Sequence, residues 1–334
     1  MTTIFVGSRF GSHAVQAYDT TNGTEVWSWT PPAGDLREVR YNSALGYVQA
    51  LEPGYIYDLD PATGARVNTN SITDVRNFWT HPSGDNIVFD SGASSLERTG
   101  HVSGIAWEFV NGTGVGEVLV NHNGDVFFRD SNYFLVKLDG DTGSQEWFVS
   151  TGNINSQAAS GNYAYAFHGW DQFELVCYEE STGNVVGSWD ALDGGTYVEA
   201  YSGTYPYSIT ADANGSIYLA LSQYNSDYSS VNTFKKISGL SSGSPVVDWS
   251  ISTTSGSRLA AYLPTGDVFL SESSDDWWIV DSADGTTLSG PFTHPTEDVR
   301  RFAELGGMYS TFPSNYPTTA SFPAAPTGLT LTEL

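Results

Sequence analysis

Lysine is the scarcest charged residue in this chain. Only Lys137, Lys235 and Lys236 occur in 334 residues, and 13 Lys and Arg face 38 Asp and Glu, for a formal charge of −25. Phosphate recognition needs a basic face, so the balance argues against a nucleic-acid partner. Cys177 is the single cysteine, which excludes an internal disulfide framework and suits an inert, buried thiol. No apolar run reaches the ~18 residues of a membrane span, so no membrane insertion is expected. No charged-then-apolar leader is seen either: Met1-Thr2 leads straight into a strand pattern, which predicts a protein made in the cytoplasm. Helical periodicity is missing throughout.

What remains is strand, turn and ring. Aromatics are 14% of residues, and most are expected in the core because large rings dominate burial. One phrase recurs: AYDTTNGTEVW at Ala17–Trp27, LDPATGARV at Leu59–Val67, LDGDTGSQEW at Leu138–Trp147, YEESTGNVVGSW at Tyr178–Trp189 and VDSADGTTL at Val280–Leu288. Each copy is an apolar strand end, an acid, a glycine four positions later, and a second strand that often carries Trp. Weaker copies at Thr99-Gly100 and Ser242-Gly243 make seven. A second turn series interleaves at Gly46, Gly84, Gly124, Gly161, Gly215, Gly266 and Gly306. Most steps are about 40 residues, the length of a four-stranded blade. Short β-branched and aromatic segments lie between the turns, such as Asp125–Arg129 and Asp267–Leu270.

These features predict an all-β, seven-bladed β-propeller of four-stranded antiparallel blades over residues 1–313, with an eight-bladed ring as the alternative. Thr3–Gly7, His13–Asp19 and Glu25–Trp29 read as second, third and fourth strands, so Val299–Glu304 supplies the missing first strand and closes the ring. Met308–Phe312 competes with Thr3–Gly7 for the same place. Residues 314–334 form a Pro/Ala/Thr-rich tail ending in one orphan strand, Gly328–Leu334.

The repeat resembles the quinoprotein-like β-propeller repeat, roughly Ala-x-Asp-x-x-Thr-Gly-x-x-x-Trp. Ala17–Trp27 matches with Asn22 in place of Thr. Asp139, Thr142, Gly143 and Trp147 match at their positions, as do Asp60, Thr63 and Gly64. The resemblance covers about residues 1–312 and implies the scaffold only. The family's quinone-binding residues have no counterparts at matching positions, and its adjacent cysteine pair is excluded, so no quinone is expected. APTGLTLTEL in the tail resembles the opening strand of a fibronectin type III domain.

Candidate chemistry is sparse. The six histidines show no close pair of the zinc-binding kind. Acid pairs such as Asp58/Asp60, Asp139/Asp141, Glu179/Glu180 and Asp275/Asp276 could supply calcium ligands, but lack the alternating spacing of a calcium loop. Acids before a tight turn commonly cap it with their own side chains. The sixth blade reads as swollen by two Tyr-rich loops, Tyr201–Tyr207 and Gln223–Asn232. Tyr205, Tyr224 and Tyr228 there, with Trp170 and Trp277 elsewhere, are the candidate binding residues. Trp277-Trp278 lies on a third strand, so one ring packs inward and the other outward or into the next blade.

The expectation is a non-catalytic binding or structural propeller without cofactor, calcium being the one open option. Other subunits of an assembly are the expected partners, joined by strand addition through Gly328–Leu334, with a host-surface glycan or protein as a further ligand. A lysine-poor acidic chain without a leader fits a virion protein (tail, baseplate or capsid decoration) of a virus of a halophilic archaeon. The alternatives are an envelope-assembly scaffold, a carbohydrate-active enzyme working in the central channel, and a cytoplasmic location.

Overall fold

The computed structural model describes residues 3–8, 14–72, 75–90, 95–100, 104–110, 115–168, 173–192, 204–224, 230–253, 256–263, 265–272, 276–293, 299–304 and 311–312. Within them the chain forms seven sheets, each built on four antiparallel strands that are consecutive in the chain in every blade but the first. Their first strands neighbour one another around a ring, which is a seven-bladed β-propeller. The only helix among the described residues is a single 3₁₀ turn, Leu240–Ser242.

Blade 1 is the seam. Val299–Glu304 pairs with Thr3–Ser8, which pairs with Val15–Asp19, and Glu25–Trp29 forms the outer edge. Thr3–Ser8 therefore takes the contested place. Thr311–Phe312 instead adds in parallel to the inner strand of blade 5, opposite Ala159 and Ser160, so the ring has seven blades and not eight. The seam works because the middle strands of every blade are sandwiched between neighbouring blades. Val15–Asp19 is buried at all five positions, whereas Glu25–Trp29 buries only Trp27 fully.

The sixth blade is long for a different reason from the one expected. Its strands Thr204–Ala211, Ile217–Tyr224, Ser230–Ser238 and Val246–Thr253 run eight or nine residues. Tyr205 pairs with Ser222 and Tyr224 with Ser230, so the described parts of the two expected loops are extended hairpin. Alternation of Tyr with Ser and Thr suits a strand as well as a loop. Tyr228, Trp170 and the Gly328–Leu334 segment lie outside the described residues.

The core is divided among the junctions. Six of the seven interblade clusters hold eight to fourteen buried apolar side chains. The seventh, between blades 2 and 3, holds five among the described residues: Leu51, Ile56, Val75, Phe78 and Val88.

Candidate functional site

Most junctions are tied by one device. In four blades an outer-strand Trp reaches into the next blade's acid-to-glycine turn. Trp27 donates its indole N–H to Pro61 O at 3.0 Å, Trp107 to Gly140 O at 2.9 Å, Trp147 to Glu180 O at 2.8 Å and Trp249 to Ser282 O at 3.1 Å. Each acceptor lies three residues before a glycine that the ring covers: Gly64, Gly143, Gly183 and Gly285. Gly143 shows why the turn demands glycine. Its φ is +71°, and a Cβ would stand 2.7 Å from Trp107. The acid opening the turn caps it. Asp60 Oδ1 accepts from the amides of Ala62 and Thr63, and Asp139 Oδ1 from those of Asp141 and Thr142. The residue two beyond each Trp also faces the next blade and is apolar: Trp29 meets Tyr57, Phe109 meets Phe128, and Val149 and Ile251 border the covered glycines.

Charge is spent on the same ties. Arg98 binds Asp85 and Asp141, each at 2.8 Å, bridging blades 3 and 4. Lys137 reaches Asp125, Glu146 and Glu180, and Asn121 Nδ2 donates to Glu180 Oε1 at 2.8 Å. Burial drives the Glu180 carboxyl up to about 7, against the pull of Lys137. His81 is buried in its turn, and burial likewise holds its imidazole below the usual range. Among the described residues no three His, Cys, Asp or Glu side chains gather as a metal site. Cys177 is fully buried, and burial pushes its thiol up to about 12.

The junction between blades 2 and 3 departs from the pattern. The outer strand of blade 2, Arg66–Ser71, carries Asn68 and Asn70 where blade 1 carries Trp27 and Trp29. Both amides turn inward. Asn68 Nδ2 and Asn70 Nδ2 donate to Asp58 Oδ2, each at 3.3 Å, while Gln49 donates to Asp58 Oδ1 at 2.8 Å and Asn42 to Gln49 at 3.2 Å. A polar chain thus crosses blade 2 from first strand to fourth. Two amides fill less space than two indoles, and a groove of about 280 Å³ remains. Asn70 and its strand partner Ile56 form one wall with the backbone of Thr69–Ile72, and Asn86, Val88 and Thr99 of blade 3 form the other. Asn86 is 5% exposed, and its Oδ1 has no hydrogen-bond partner among the described residues.

Sequence reasoning missed this site. The signal was a failure of the repeat: Gly64 is followed four positions later by Asn68, where Gly23 and Gly143 are followed by Trp. Of the residues singled out, Tyr205 and Tyr224 sit on blade 6, away from the groove. Trp277 is a correction. It is fully buried against Tyr18, Phe269 and Phe292, so its ring has no face for a sugar. It is the inward member of its pair, while half-buried Trp278 packs on Phe234 of blade 6.

The fold and its interblade ties define a seven-bladed β-propeller. No family model and no curated protein matches the chain. Solved structures do. BamB from Moraxella catarrhalis aligns with a TM-score of 0.51 at 13% identity, covering 86% of this chain and 85% of that one. The computationally designed Ika8 protein aligns at 0.61 and 12%, covering 93% and 91%. A chain of the mitotic checkpoint complex aligns at 0.59 and 11%, covering 80% and 86%. Identities this low show a shared fold and nothing finer.

Proposed function

We propose that this propeller is a non-catalytic interaction scaffold, a closed ring that presents one open junction to a partner. The groove between blades 2 and 3 carries this reading. Amides, hydroxyls, aliphatic side chains and backbone line it, groups that recognise rather than react. The ionisable side chains Arg98, Lys137 and Glu180 are engaged in holding blades together. The fold supports the reading in general terms, since a similarly folded chain is part of the mitotic checkpoint complex. The Asp-x-x-Thr-Gly turns at Asp60 and Asp139 support kinship with quinoprotein-like repeats as scaffolds, without their cofactor. The acid excess supports the finer placement, a virus particle of a salt-loving archaeon.

Cross-linking of the native full chain in producing cells, followed by mass spectrometry, tests the scaffold. Cross-links from blades 2 and 3 to a second protein are expected. Recovery of the chain only as a free monomer removes the reading. Density-gradient fractionation tests the placement: banding with particles supports it, and banding with membranes replaces it with an envelope scaffold.

A further inference from the structure

We infer that the groove between blades 2 and 3 takes an extended peptide segment of a partner protein, which pairs with the Arg66–Ser71 edge and lowers a Lys or Arg side chain towards Asn86. This rests on the scaffold reading and names the surface and chemistry it uses.

The backbone argument comes from register. Arg66–Ser71 is the last strand of its sheet. Ile72 N–H donates to Gly54 O at 2.9 Å, which makes Gly54 and Ile72 a hydrogen-bonded pair. Such pairs alternate along an antiparallel ladder, so Ile56–Asn70 and Asp58–Asn68 belong to the same set. The amides and carbonyls of Thr69 and Ser71 therefore point away from the sheet, and both residues line the groove. An edge with outward donors and acceptors is a template for strand addition, in which main-chain bonds give affinity and a side-chain pocket gives specificity.

The pocket argument comes from its walls. Ile56 and Val88 are buried and offer an apolar bed for a methylene stem. Asn86 Oδ1 is a buried acceptor without a donor among the described residues, a state that costs free energy until a ligand N–H arrives. Behind Asn70 stands the buried Asp58 carboxylate, and the whole chain is strongly acidic. A cationic head satisfies the acceptor and meets a favourable field, whereas an acidic side chain meets a repulsive one. A saccharide is the weaker fit, because none of the lining residues supplies an aromatic face for a sugar ring. Four other outer strands carry apolar bulk where Asn70 stands: Trp29, Phe109, Val149 and Ile251.

The test is selection of a phage-displayed random nonapeptide library on the immobilised full chain, with two variants as counter-targets. Asn70→Trp fills the groove as Trp29 fills its own junction. Ser71→Pro removes one outward N–H while sparing the inward ladder, a change an edge strand tolerates. Circular dichroism confirms that each variant is folded, and either one alone decides the matter. Enriched peptides are expected to carry a Lys or Arg flanked by β-branched residues and to lose at least about tenfold in affinity on either variant, a contribution of about 1.4 kcal/mol. No enrichment over the variants, an acidic consensus, or saccharide-array binding abolished by Asn70→Trp overturns the proposal. Cross-links to a partner that persist in both variants leave the scaffold reading standing and remove this surface from it.

Discussion

Trp147 does two jobs at once: its indole N–H reaches Glu180 O at 2.8 Å, and its ring covers Gly183. Trp147→Phe keeps a ring and deletes the donor. The expected loss is about 1 kcal/mol of unfolding free energy, the usual net worth of one hydrogen bond, read from the urea midpoint. The residue that supplies the carbonyl brings a second effect. Burial raises the Glu180 carboxyl from 4.5 to about 7. The folded chain then retains a proton that the unfolded chain has released, so this group's contribution falls as pH rises between those two values and levels off above them. The effect should be on the order of 1–2 kcal/mol, since Lys137 and Asp125 share the titration. Thermal unfolding across the window should show the wild type losing stability with pH relative to Glu180→Gln. Parallel curves for the two proteins would place the pH dependence elsewhere.

At the scale of strands and turns, the repeat was legible wherever the chain obeyed it. The acid-to-glycine spacing located the turns before the fourth strands at Gly23, Gly64, Gly143, Gly183 and Gly285, all of which have φ near +70°. Spacing is local chemistry, so a single sequence displays it. The departures were not legible, because each is compensated by a residue far away in the chain. Blade 5 carries Gly187 where other blades carry Trp, and the 3₁₀ turn of blade 6 lies against it with Leu240 fully buried. A Cβ at position 187 would run into the Leu240 carbonyl, so Gly187→Ala should cost about 1–3 kcal/mol by forcing that turn outward. Differential scanning calorimetry reads the shift. Blade 7 compensates in another way: Ser289 Oγ donates to Thr20 O at 2.8 Å, replacing the indole, and Phe292 covers Gly23. At blade 2 the outer strand carries Asn68 and Asn70 in place of bulky rings, and that is where the groove opens. The described parts of the expected blade 6 loops are strand for a physical reason too. Ser, Thr and Tyr sit comfortably in exposed hairpin strands, so composition alone could not separate loop from strand there.

For the whole ring, closure depends on Val299–Glu304 bonding to Thr3–Ser8 across nearly the full length of the chain, and that closure works against a charge of −25. Two kinds of electrostatic term respond differently to salt. The ties of Arg98 to Asp85 and of Lys137 to Asp125, whose basic side chains are 11% and 6% exposed, sit in a medium that ions barely enter. Exposed acids repel one another through water, where the screening length shrinks from about 10 Å at 0.1 M salt to about 3 Å at 1 M. Salt should therefore remove the repulsion and spare the ties, and the ring should gain stability. The benefit should fall first on the junction with the smallest core, between blades 2 and 3. Raising potassium chloride from about 0.1 M to about 1 M should raise Tm by several degrees, the response expected for a gain of about 1–2 kcal/mol in a chain of this size. Hydrogen exchange should show the amides of Arg66–Ser71 and Asn86–Asp90 gaining more protection than those of Val126–Asp130 at the well-filled core of blade 4. A Tm that falls with salt would mean that exposed ion pairs outweigh acid repulsion, and it would remove the physical basis for placing this propeller in a salt-rich setting.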